Sequence, residues 1–400
     1  MAQPVKVGKS FSMVQNMPQE FDIVVIGAGP AGSSAACWAA RHGARVALVD
    51  KASFPRNKLC GGLFTERSHQ IFREVFGHEF DFSQAITRRE IEFWYKNERL
   101  SVLNDVPPLH LTMRIDLDAT LFGHAIATGA KDYSGKAIAT LTDNLVTFRD
   151  GDCIQGRVLI GADGVNSITA RHLFGAPFDK RTIGFGLEVE VSETGRPPID
   201  LPLRIDFEAA QWGYGWSFPK MGSTTVGIGG LHASNPDMKD KFSTYLNALG
   251  HNGDQKHFKG HFLPFGDFRK IPGRGNILLA GDAAGLIDPI TGEGIAHAIK
   301  SGQLAAGAAI EALAMNRPES ALGYYQASLK DIHQSLRIAN RLRRIIFAPR
   351  WSQAFTSTFR RSGTVRMQYM RLLAGEIEYP ELARKVIKRL PSYLLSRIRG

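Results

Sequence analysis

Six consecutive residues near the N-terminus have the glycine spacing of a turn that binds a dinucleotide: Gly27-Ala28-Gly29-Pro30-Ala31-Gly32. In such a turn Gly27 permits the tight bend, Gly29 lets the backbone approach a pyrophosphate, and Gly32 lets a helix pack closely on a strand. A helix beginning at Pro30 would also direct its N-terminal amides and the positive end of its dipole at the phosphates. The segment therefore predicts a site for the diphosphate of a nucleotide cofactor.

An acidic residue stands where the second part of such a site requires one. Asp50 follows Gly32 by eighteen residues and directly follows the largely apolar segment 44–49, with Lys51 beside it as a further predicted contact. A carboxylate at the end of that second strand can accept hydrogen bonds from ribose hydroxyls. A glycine-rich turn with an incidental acid is the alternative, but the order of strand, turn, helix, strand and acid favours nucleotide binding. By themselves these residues could hold NAD or FAD.

Two later motifs also end predicted strands. The run VLIGADGVNS contains Asp163 and Gly164, and the run NILLAGDAAG contains Gly281 and Asp282. In this order the three motifs resemble those of the flavoprotein superfamily typified by para-hydroxybenzoate hydroxylase. The resemblance implies that Asp163 and Gly164 lie near the cofactor, that the Asp282 carboxylate binds a ribityl chain, and that the cofactor is FAD.

The segment 287–294, IDPITGEG, leads from the last of these motifs into an Ala-rich helix. Pro289, Gly292 and Gly294 can bring backbone against a flavin ring. The amides of a helix that starts near Ile295 would favour the negative charge of a reduced flavin. An ordinary helix-entry loop is the alternative, and it explains the proline and one glycine but not both glycines.

Arg114 precedes a predicted helix over 116–127, which we expect to be capped by Asp116 and stopped by Gly129. It resembles a cofactor-contacting arginine of the same superfamily, which implies a place for it in the FAD site. A surface cation is the alternative.

Two segments narrow the family further. The loop FPRNKLCGG at 54–62 resembles the P-x-x-K-x-C-G-G loop of the geranylgeranyl reductase family, and YGWSFPK at 214–220 resembles that family's Y-x-W-x-F-P segment. A weaker likeness is the stretch GEIEY at 375–379. The resemblance implies an active site with Cys60 beside the flavin and hydride transfer from reduced FAD to a carbon–carbon double bond of an isoprenoid lipid.

Aromatic residues alternate along the second of these segments: Trp212, Tyr214, Trp216 and Phe218. Alternation places them on one face of a strand, where Tyr214 and Trp216 would form a wall suited to an apolar substrate. An aromatic core face of the sheet is the alternative. The sequence does not identify the acid that protonates the neighbouring carbon, for which Cys60, a water and a substrate group all stay open.

A flavin-dependent monooxygenase or halogenase that activates oxygen is the competing function. Halogenases carry a W-x-W-x-I-P segment and a Phe-Pro-Arg loop, but the continuation KLCGG at 58–62 favours the reductase. The chain has a single G-x-G-x-x-G motif, so we expect the electron donor to be NAD(P)H that docks transiently or a redox partner protein such as ferredoxin. A third candidate, a non-enzymatic protein that binds nucleic acid, lacks an aromatic RNA-binding motif, so no nucleic acid is expected.

The composition fits this assignment and locates the charge. Of 400 residues 44% are hydrophobic, enough for a substantial core. Residues 331–400 contain 15 Lys or Arg against 4 Asp or Glu, which accounts for the whole net charge of +11. Such a tail predicts contact with an anionic membrane surface or, alternatively, a helical layer whose cations face solvent.

Scattered cysteines and the absence of a long apolar run bear on localisation. The three cysteines are widely separated, which predicts neither a disulfide framework nor a metal site. There is no run of about eighteen apolar residues, so we expect a protein that is not secreted and does not span a membrane. We therefore predict a cytoplasmic protein, which would be peripheral to the membrane if the tail binds it. The apolar residues interleaved with tail cations include Leu336, Ile338, Leu342, Ile345, Ile346, Phe347, Leu390, Tyr393, Leu394 and Leu395.

The predicted fold class is α/β. A Rossmann-type FAD-binding domain comprises 21–90, 105–175 and 270–330, because buried strands over 21–26, 44–49 and 276–280 alternate with helices. An inserted antiparallel-sheet substrate domain comprises 91–104 and 176–269, where apolar and polar positions alternate. A helical, basic C-terminal region, 331–400, completes the chain.

Overall fold

Two large β-sheets form the body of the protein, and the computed structural model describes residues 17–192, 200–251 and 258–389. The strands of the first sheet are β1 (Gln19–Ile26), β2 (Val46–Val49), β6 (Lys131–Tyr133), β7 (Ile138–Leu141), β8 (Leu145–Phe148), β9 (Cys153–Gly161), β15 (Gly273–Arg274) and β16 (Ile277–Leu279). Those of the second sheet are β3 (Leu63–Thr65), β4 (Ile86–Tyr95), β5 (Glu98–Leu111), β10 (Gly184–Val191), β11 (Arg204–Phe207), β12 (Tyr214–Lys220), β13 (Ser223–Leu231) and β14 (Lys259–Leu263).

The centre of the first sheet is parallel, in the order β16-β9-β1-β2-β6. Ile23 to Ile26 are almost fully buried, because helices cover this sheet and leave no face for polar side chains. The carboxyl ends of parallel strands meet at one edge, so the residues after β1, β2, β9 and β16 come together there. That edge carries all three of the motifs quoted above.

The second sheet runs β14-β10-β13-β12-β11-β4-β5-β3 and is antiparallel except where β11 pairs with β4. The β4–β5 hairpin pairs Tyr95 with Glu98, and Lys96 and Asn97 form its two-residue turn with positive φ.

Eleven helices lie within the described residues: α1 (Pro30–Arg41), α2 (Glu66–Phe76), α3 (Arg114–Ala127), α4 (Ile168–Phe174), α5 (Met238–Ala248), α6 (Ile295–Ala314), α7 (Ala321–Ser328), α8 (Lys330–Phe347), α9 (Pro349–Arg361), α10 (Gly363–Ala374) and α11 (Tyr379–Arg389). The parallel sheet, the antiparallel sheet and the helical C-terminus confirm the predicted fold class. The division into discontinuous domains stays a prediction, and the second sheet also includes β3, whose residues lie in the segment predicted for FAD.

One local prediction was wrong. Helix α3 begins at Arg114 with Met113 at its N-cap, so Asp116 lies in the first turn and is not the cap. The start of the helical C-terminal region is formed by α7 and α8, which meet at Leu329. Of the tail residues expected to be helical, Leu390, Tyr393, Leu394 and Leu395 lie outside the described residues.

The C-terminal helices pack their apolar faces against the second sheet. Leu336 is buried in the core of the first sheet, whereas Ala339, Phe347 and Phe359 join the core of the second. Leu342, Ile338 and Ile346 pack against that second core as well. Among the described residues no helix is both long enough and apolar enough to span a bilayer.

Candidate functional site

A cleft of about 700 Å³ is lined by residues of both sheets. This volume falls within the range of about 300–1,000 Å³ that is typical of small-molecule sites. Most of the predicted site residues line it: Gly27, Gly29, Pro30, Ala31, Asp50, Lys51, Cys60, Arg114, Asp163, Gly164, Tyr214, Trp216, Asp282, Gly292, Gly294 and Ile295. Gly32, Gly281 and Pro289 lie behind its surface and do not line it.

The glycines of the first turn have separate structural duties. A Cβ added to Gly27, whose φ is +96°, would lie 2.4 Å from the Ala162 carbonyl oxygen, and one on Gly32 would lie 1.7 Å from the Gly27 oxygen. These two positions are closed by backbone, which leaves no room for a side chain. At Gly29 the nearest atom within 4 Å is Arg56 Nη2, at 3.6 Å, so this backbone faces the cleft.

Two helix N-termini open onto the cleft. Helix α1 starts at Pro30 and α6 starts at Ile295, and the two helices are tightly packed: a Cβ on Gly302 would lie 2.0 Å from the Ala31 oxygen. Gly281 fits into the same contact, where its Cβ would lie 3.0 Å from Ala31 Cβ. First-turn amides have no partner within their own helix, so they are free to bind an anion. These two helix N-termini, with the turns that precede Pro30 and Ile295, are here named the cofactor cradle. The cofactor cradle fits the diphosphate and ring of a flavin dinucleotide.

Asp50 is held at the turn by two backbone amides. Its Oδ2 accepts a hydrogen bond from Ala28 N and its Oδ1 accepts one from Ala52 N, both at 2.9 Å. Arg56 Nη2 lies 3.8 Å from Oδ2. Lys51 is exposed at the rim. The Asp50 carboxylate is thus fixed at the cleft, where it could bind a ribose.

Arg114 is a buried ion-pair residue and not the surface cation that was the alternative. Its Nε and Nη2 donate to the two oxygens of Asp118 at 2.7 and 2.9 Å, and Arg56 Nη1 lies 3.1 Å from Asp118 Oδ2. The Arg114 side chain also interacts with Cys60. Because Asp118 neutralises it, the guanidinium can remain charged while 9% exposed.

The two later acids behave differently. Asp163 uses its carboxylate to hold the start of α4: Ser167 Oγ, Ile168 N and Thr169 N all donate to it. Burial raises the pKa of Asp163, and these hydrogen bonds oppose that rise. Asp282 is half-buried at the cleft surface near Lys58; burial lowers the pKa of Lys58, and the charge of Asp282 opposes that fall. Asp282 is therefore the acid whose placement suits a direct contact with a ligand.

Tyr214 connects the second sheet to the loop before α6. Its hydroxyl donates to the Thr291 carbonyl oxygen at 2.8 Å, and a Cβ on Gly292 would lie 2.0 Å from that hydroxyl. Burial raises the pKa of Tyr214, so the phenol stays protonated. Gly292, which was predicted to bring backbone against a flavin ring, must therefore be glycine because a side chain at this position would collide with Tyr214. Pro289 lies near Gly266 and away from the cleft surface.

Tyr214, Trp216 and Phe218 form one wall of the cleft, here named the aromatic wall. The Trp216 ring lies directly on the glycines of β13: a Cβ on Gly227 would lie 2.2 Å from its Cζ2. Its Nε1 is buried and makes no hydrogen bond. Trp216 and Phe218 are buried in the core of the second sheet, yet both also line the cleft. The two rings therefore belong both to the core of the sheet and to the cleft surface, and their contact with a substrate stays a prediction.

The Cys60 loop packs on this wall. A Cβ on Gly61 would lie 3.0 Å from the Phe218 ring and 3.4 Å from Trp216 Nε1. Cys60 is a free, half-buried cysteine whose amide donates to Glu188 Oε1 at 2.7 Å, and Gly62 N donates to Cys60 Sγ at 3.3 Å. The two segments that resemble the reductase family are thus in contact across the cleft.

The C-terminal region reaches the same site through an ion pair and a buried hydrogen bond. Glu293 accepts a hydrogen bond from Thr65 Oγ1 and lies 3.4 Å from Arg67 Nε, while Arg67 also pairs with Glu378 at 2.7 Å. Burial raises the pKa of Glu293 to about 7 despite Arg67. Tyr379 donates to buried Asp288 at 3.0 Å. The stretch at 375–379, whose likeness to the reductase family is the weaker one, therefore contacts and stabilises the loop that precedes α6.

Several residues of the site were missed by the sequence analysis. Lys58 and His261 hydrogen-bond at 2.6 Å on the cleft wall, and burial lowers the pKa of both, that of His261 to about 4. Glu188, Arg67 and Glu293 were missed as well. Their signal is weak, since each is one charged residue on an otherwise ordinary strand, helix or loop.

One group with metal-ligand residue types lies apart from the cleft. Glu66, His69 and His110 place ligand atoms within 4.8 Å of one another. Protein partners already engage the two histidines, because His69 Nε2 lies 2.7 Å from Glu79 and His110 Nδ1 hydrogen-bonds Thr87 at 2.8 Å. The absence of a metal site stays a prediction.

Known proteins are similar to this chain in sequence and in fold. A family described as FAD dependent oxidoreductase matches residues 22–120. A menaquinone reductase of Mycobacterium tuberculosis is 32% identical over 310 residues, which cover 71% of this chain and 75% of the relative. A digeranylgeranylglycerophospholipid reductase of Methanocaldococcus jannaschii is 30% identical over 343 residues, 78% of this chain and 83% of the relative.

The fold has a solved counterpart over nearly the whole chain. The crystal structure of a geranylgeranyl bacteriochlorophyll reductase-like protein from Thermoplasma acidophilum superposes with a TM-score of 0.73 at 20% identity. The match covers 94% of this chain and 100% of that one.

Proposed function

This chain belongs to the geranylgeranyl reductase family of FAD-dependent oxidoreductases, and from that premise we propose that it reduces carbon–carbon double bonds of a geranylgeranyl-type isoprenoid lipid. One observation carries the proposal: the aromatic wall and the Cys60 loop line the same cleft as the cofactor cradle. An apolar chain entering along the aromatic wall would therefore meet the cofactor beside Cys60.

The residues of the cradle suit FAD. The α1 turn would bind the diphosphate, Asp50 the adenosine ribose, Asp282 the ribityl chain, and the α6 turn the ring. When bound, FAD supplies the two-electron hydride chemistry. The N-terminal dipole of α6 would stabilise negative charge at this end of the cleft.

The other wall would hold and shield the substrate. Tyr214, Trp216 and Phe218 offer aromatic surface to a substrate. The Trp216 ring also covers the glycines of β13, so it would keep water away from their backbone. An isolated alkene has no carbonyl to polarise, so a dry pocket and a nearby acid are what the protein can contribute. We propose Cys60, Tyr214 and Trp216 as the residues that contact the reacting part of the lipid.

The electron donor would be NAD(P)H docking transiently or a redox protein such as ferredoxin. A second dinucleotide turn like that of α1 is not found among the described residues, which supports a donor that binds only briefly. We also propose a cytoplasmic enzyme, because three cysteines scattered along the chain are more typical of reduced thiols than of a disulfide framework.

Membrane contact would bring a prenyl lipid to the cleft. At the α8–α9 corner, defined here as Arg341, Arg344, Ile345, Arg350 and Trp351, cations and large apolar groups are exposed together: Ile345 is 54% and Trp351 is 48% exposed. Such a mixture suits an anionic bilayer surface. The other apolar residues of α8 are packed inward, so within α8 the proposal depends on this corner.

Anaerobic chemistry tests the reaction. The bound flavin is reduced without oxygen, candidate prenyl lipids are added, and flavin reoxidation is followed by absorbance. Cys60→Ser should slow this reoxidation far more than it lowers flavin content, while Cys153→Ser, outside the cleft, should react like the wild type. Stoichiometric oxygen consumption with product formation would instead favour the monooxygenase or halogenase alternative.

A further inference from the structure

Glu188 is a buried acid on the substrate side of the cleft. It lies on β10, two residues after Gly186, and both line the cleft because alternate strand residues share a face. Its cross-strand neighbour is Gly227, which underlies the Trp216 ring. The side chain is 8% exposed and so belongs to the floor between the aromatic wall and the Cys60 loop.

One oxygen of this carboxyl is bound and the other is not. Oε1 accepts the hydrogen bond from Cys60 N, which fixes the carboxyl beside the cysteine. Oε2 is buried and has no hydrogen-bond partner. A buried carboxylate oxygen without a partner is costly, and protonation removes that cost. The geometry therefore favours a neutral carboxylic acid with a proton to give.

The surrounding charges agree with that state. Burial is the largest influence on Glu188 and raises its pKa to about 7; Glu190 on the same strand acts in the same direction. Lys220 from β12 and Arg114 from α3 oppose it, as does the Cys60 amide. Lys58 and His261, also on the cleft wall, hydrogen-bond to each other. A carboxyl with a pKa near 7 holds a proton at neutral pH and can release it.

Two other acids that line the cleft, Asp163 and Glu293, also have raised pKa values, and their bonding differs from that of Glu188. Both Asp163 oxygens accept hydrogen bonds at the start of α4. Thr65 donates to Glu293 Oε1, and Arg67 lies against Glu293 Oε2, so both Glu293 oxygens are engaged with the bracing network of the C-terminal helices. Of these three acids, Glu188 has the uncommitted oxygen and the direct contact with the Cys60 loop.

We propose that Glu188 is the buried acid that resupplies the proton given up at Cys60 when the double bond is reduced. The inference rests on the proposed function. One alkene carbon receives a hydride, which carries both electrons, from the reduced cofactor. The other receives the Cys60 S–H proton. As that S–H bond breaks, the Glu188 O–H bond breaks and re-forms it, and the carboxylate left behind takes a proton from solvent.

Three variants test this role: Glu188→Gln, Glu188→Asp and the control Glu190→Gln, two residues along the same strand with a side chain 38% exposed. The rate of anaerobic flavin reoxidation by a prenyl lipid is measured against pH in each. The wild-type rate should fall above a pH of about 7. Glu188→Gln should slow the reaction roughly 10²–10⁴-fold, the usual contribution of a positioned acid, and lose the fall with pH. Glu188→Asp should restore part of the rate, and Glu190→Gln should keep the rate and move its fall, if at all, to lower pH.

Infrared difference spectra give a readout independent of turnover. The flavin-loaded wild type should show protonated carboxyl bands that disappear as pH rises through about 7. Glu188→Gln should lack one of these bands and keep the band of Glu293, whose pKa is also about 7. Unchanged rate and pH profile in that variant would overturn the role of Glu188, and loss of the profile in Glu293→Gln instead would assign the acid to Glu293. A wild type whose reduced flavin reacts with no prenyl lipid would overturn the proposed function itself.

Discussion

The two walls of the cleft are built by different means. The cofactor wall, formed by the α1 turn, Asp50, Asp163, Asp282 and the α6 turn, relies on backbone: glycines that admit no Cβ and helix ends that offer free amides. The aromatic wall relies on side chains that alternate along β12 and lie on glycines of another strand. The dinucleotide site is therefore built from local turns, whereas the surface proposed for an apolar substrate is assembled across strands.

Gly32→Ala should break the cofactor wall and give the largest effect. Its Cβ would lie 1.7 Å from the Gly27 oxygen, so the turn must open. We expect loss of bound flavin and destabilisation of about 3 kcal/mol or more, at or above the upper range for overpacking. Flavin absorbance and denaturant unfolding measure both.

Gly123→Ala in α3 is the matched control, because no atom lies within 4 Å of its added Cβ. It should retain flavin and gain up to about 1 kcal/mol from helix propensity. Equal flavin content in both variants would contradict the backbone account of the cofactor wall.

Glu293 lies where the walls and the C-terminal helices meet, and its titration should be visible in stability. Its pKa is raised from 4.5 to about 7. The folded state therefore keeps a proton that the unfolded state loses, so its contribution is present below about pH 4.5 and is lost as pH rises to about 7. Glu293→Gln should gain about 3 kcal/mol relative to wild type across that window.

Unfolding free energies of the flavin-bound proteins at the two ends of the window measure this gain. Glu319→Gln, at an exposed position, should track the wild type at both. If the difference in unfolding free energy between Glu293→Gln and wild type were the same at both pH values, the Glu293 carboxyl would not titrate in this window.

Gly227→Ala should damage the aromatic wall alone. The new Cβ would lie 2.2 Å from Trp216 Cζ2, so the ring must move. We expect prenyl-lipid reduction to fall by roughly 10- to 100-fold, equivalent to about 1–3 kcal/mol, with flavin content unchanged. Gly186→Ala, whose Cβ would lie 3.3 Å from Leu263, should have a milder effect. Loss of flavin in Gly227→Ala would mean that the two walls are not separable.

The α8–α9 corner should give the smallest effect. Co-sedimentation with anionic vesicles should weaken as ionic strength rises and be poor with neutral lipid. Arg344→Gln should cost about 1 kcal/mol of binding, the usual value for one basic residue at an anionic surface. Arg45→Gln, at an exposed arginine between α1 and β2, should leave vesicle binding unchanged. Equal recovery in the supernatant with both vesicle types at low salt would refute membrane contact.

The sequence by itself determined the cofactor wall. Glycines at 27, 29 and 32 and the acids at 50 and 282 follow strand ends at fixed short distances, and short-range geometry is set by neighbouring residues. The charge excess of the tail and the aromatic alternation on β12 were also legible. Even so, Pro289, Gly32 and Gly281 lie behind the cleft surface, because spacing does not decide which side of a turn faces a ligand.

Only the tertiary structure decided what stands beside Cys60. Glu188 is 128 residues away in sequence and meets the Cys60 amide because β10 lies in the second sheet while the loop leaves the first. Arg67, Glu293 and Glu378 come together from three helices and loops that no local pattern relates. Burial then raises the pKa of Glu293, and burial depends on which surfaces the whole fold removes from water. That is why the cofactor could be inferred from a string of residues, whereas the acid could be inferred only from a folded chain.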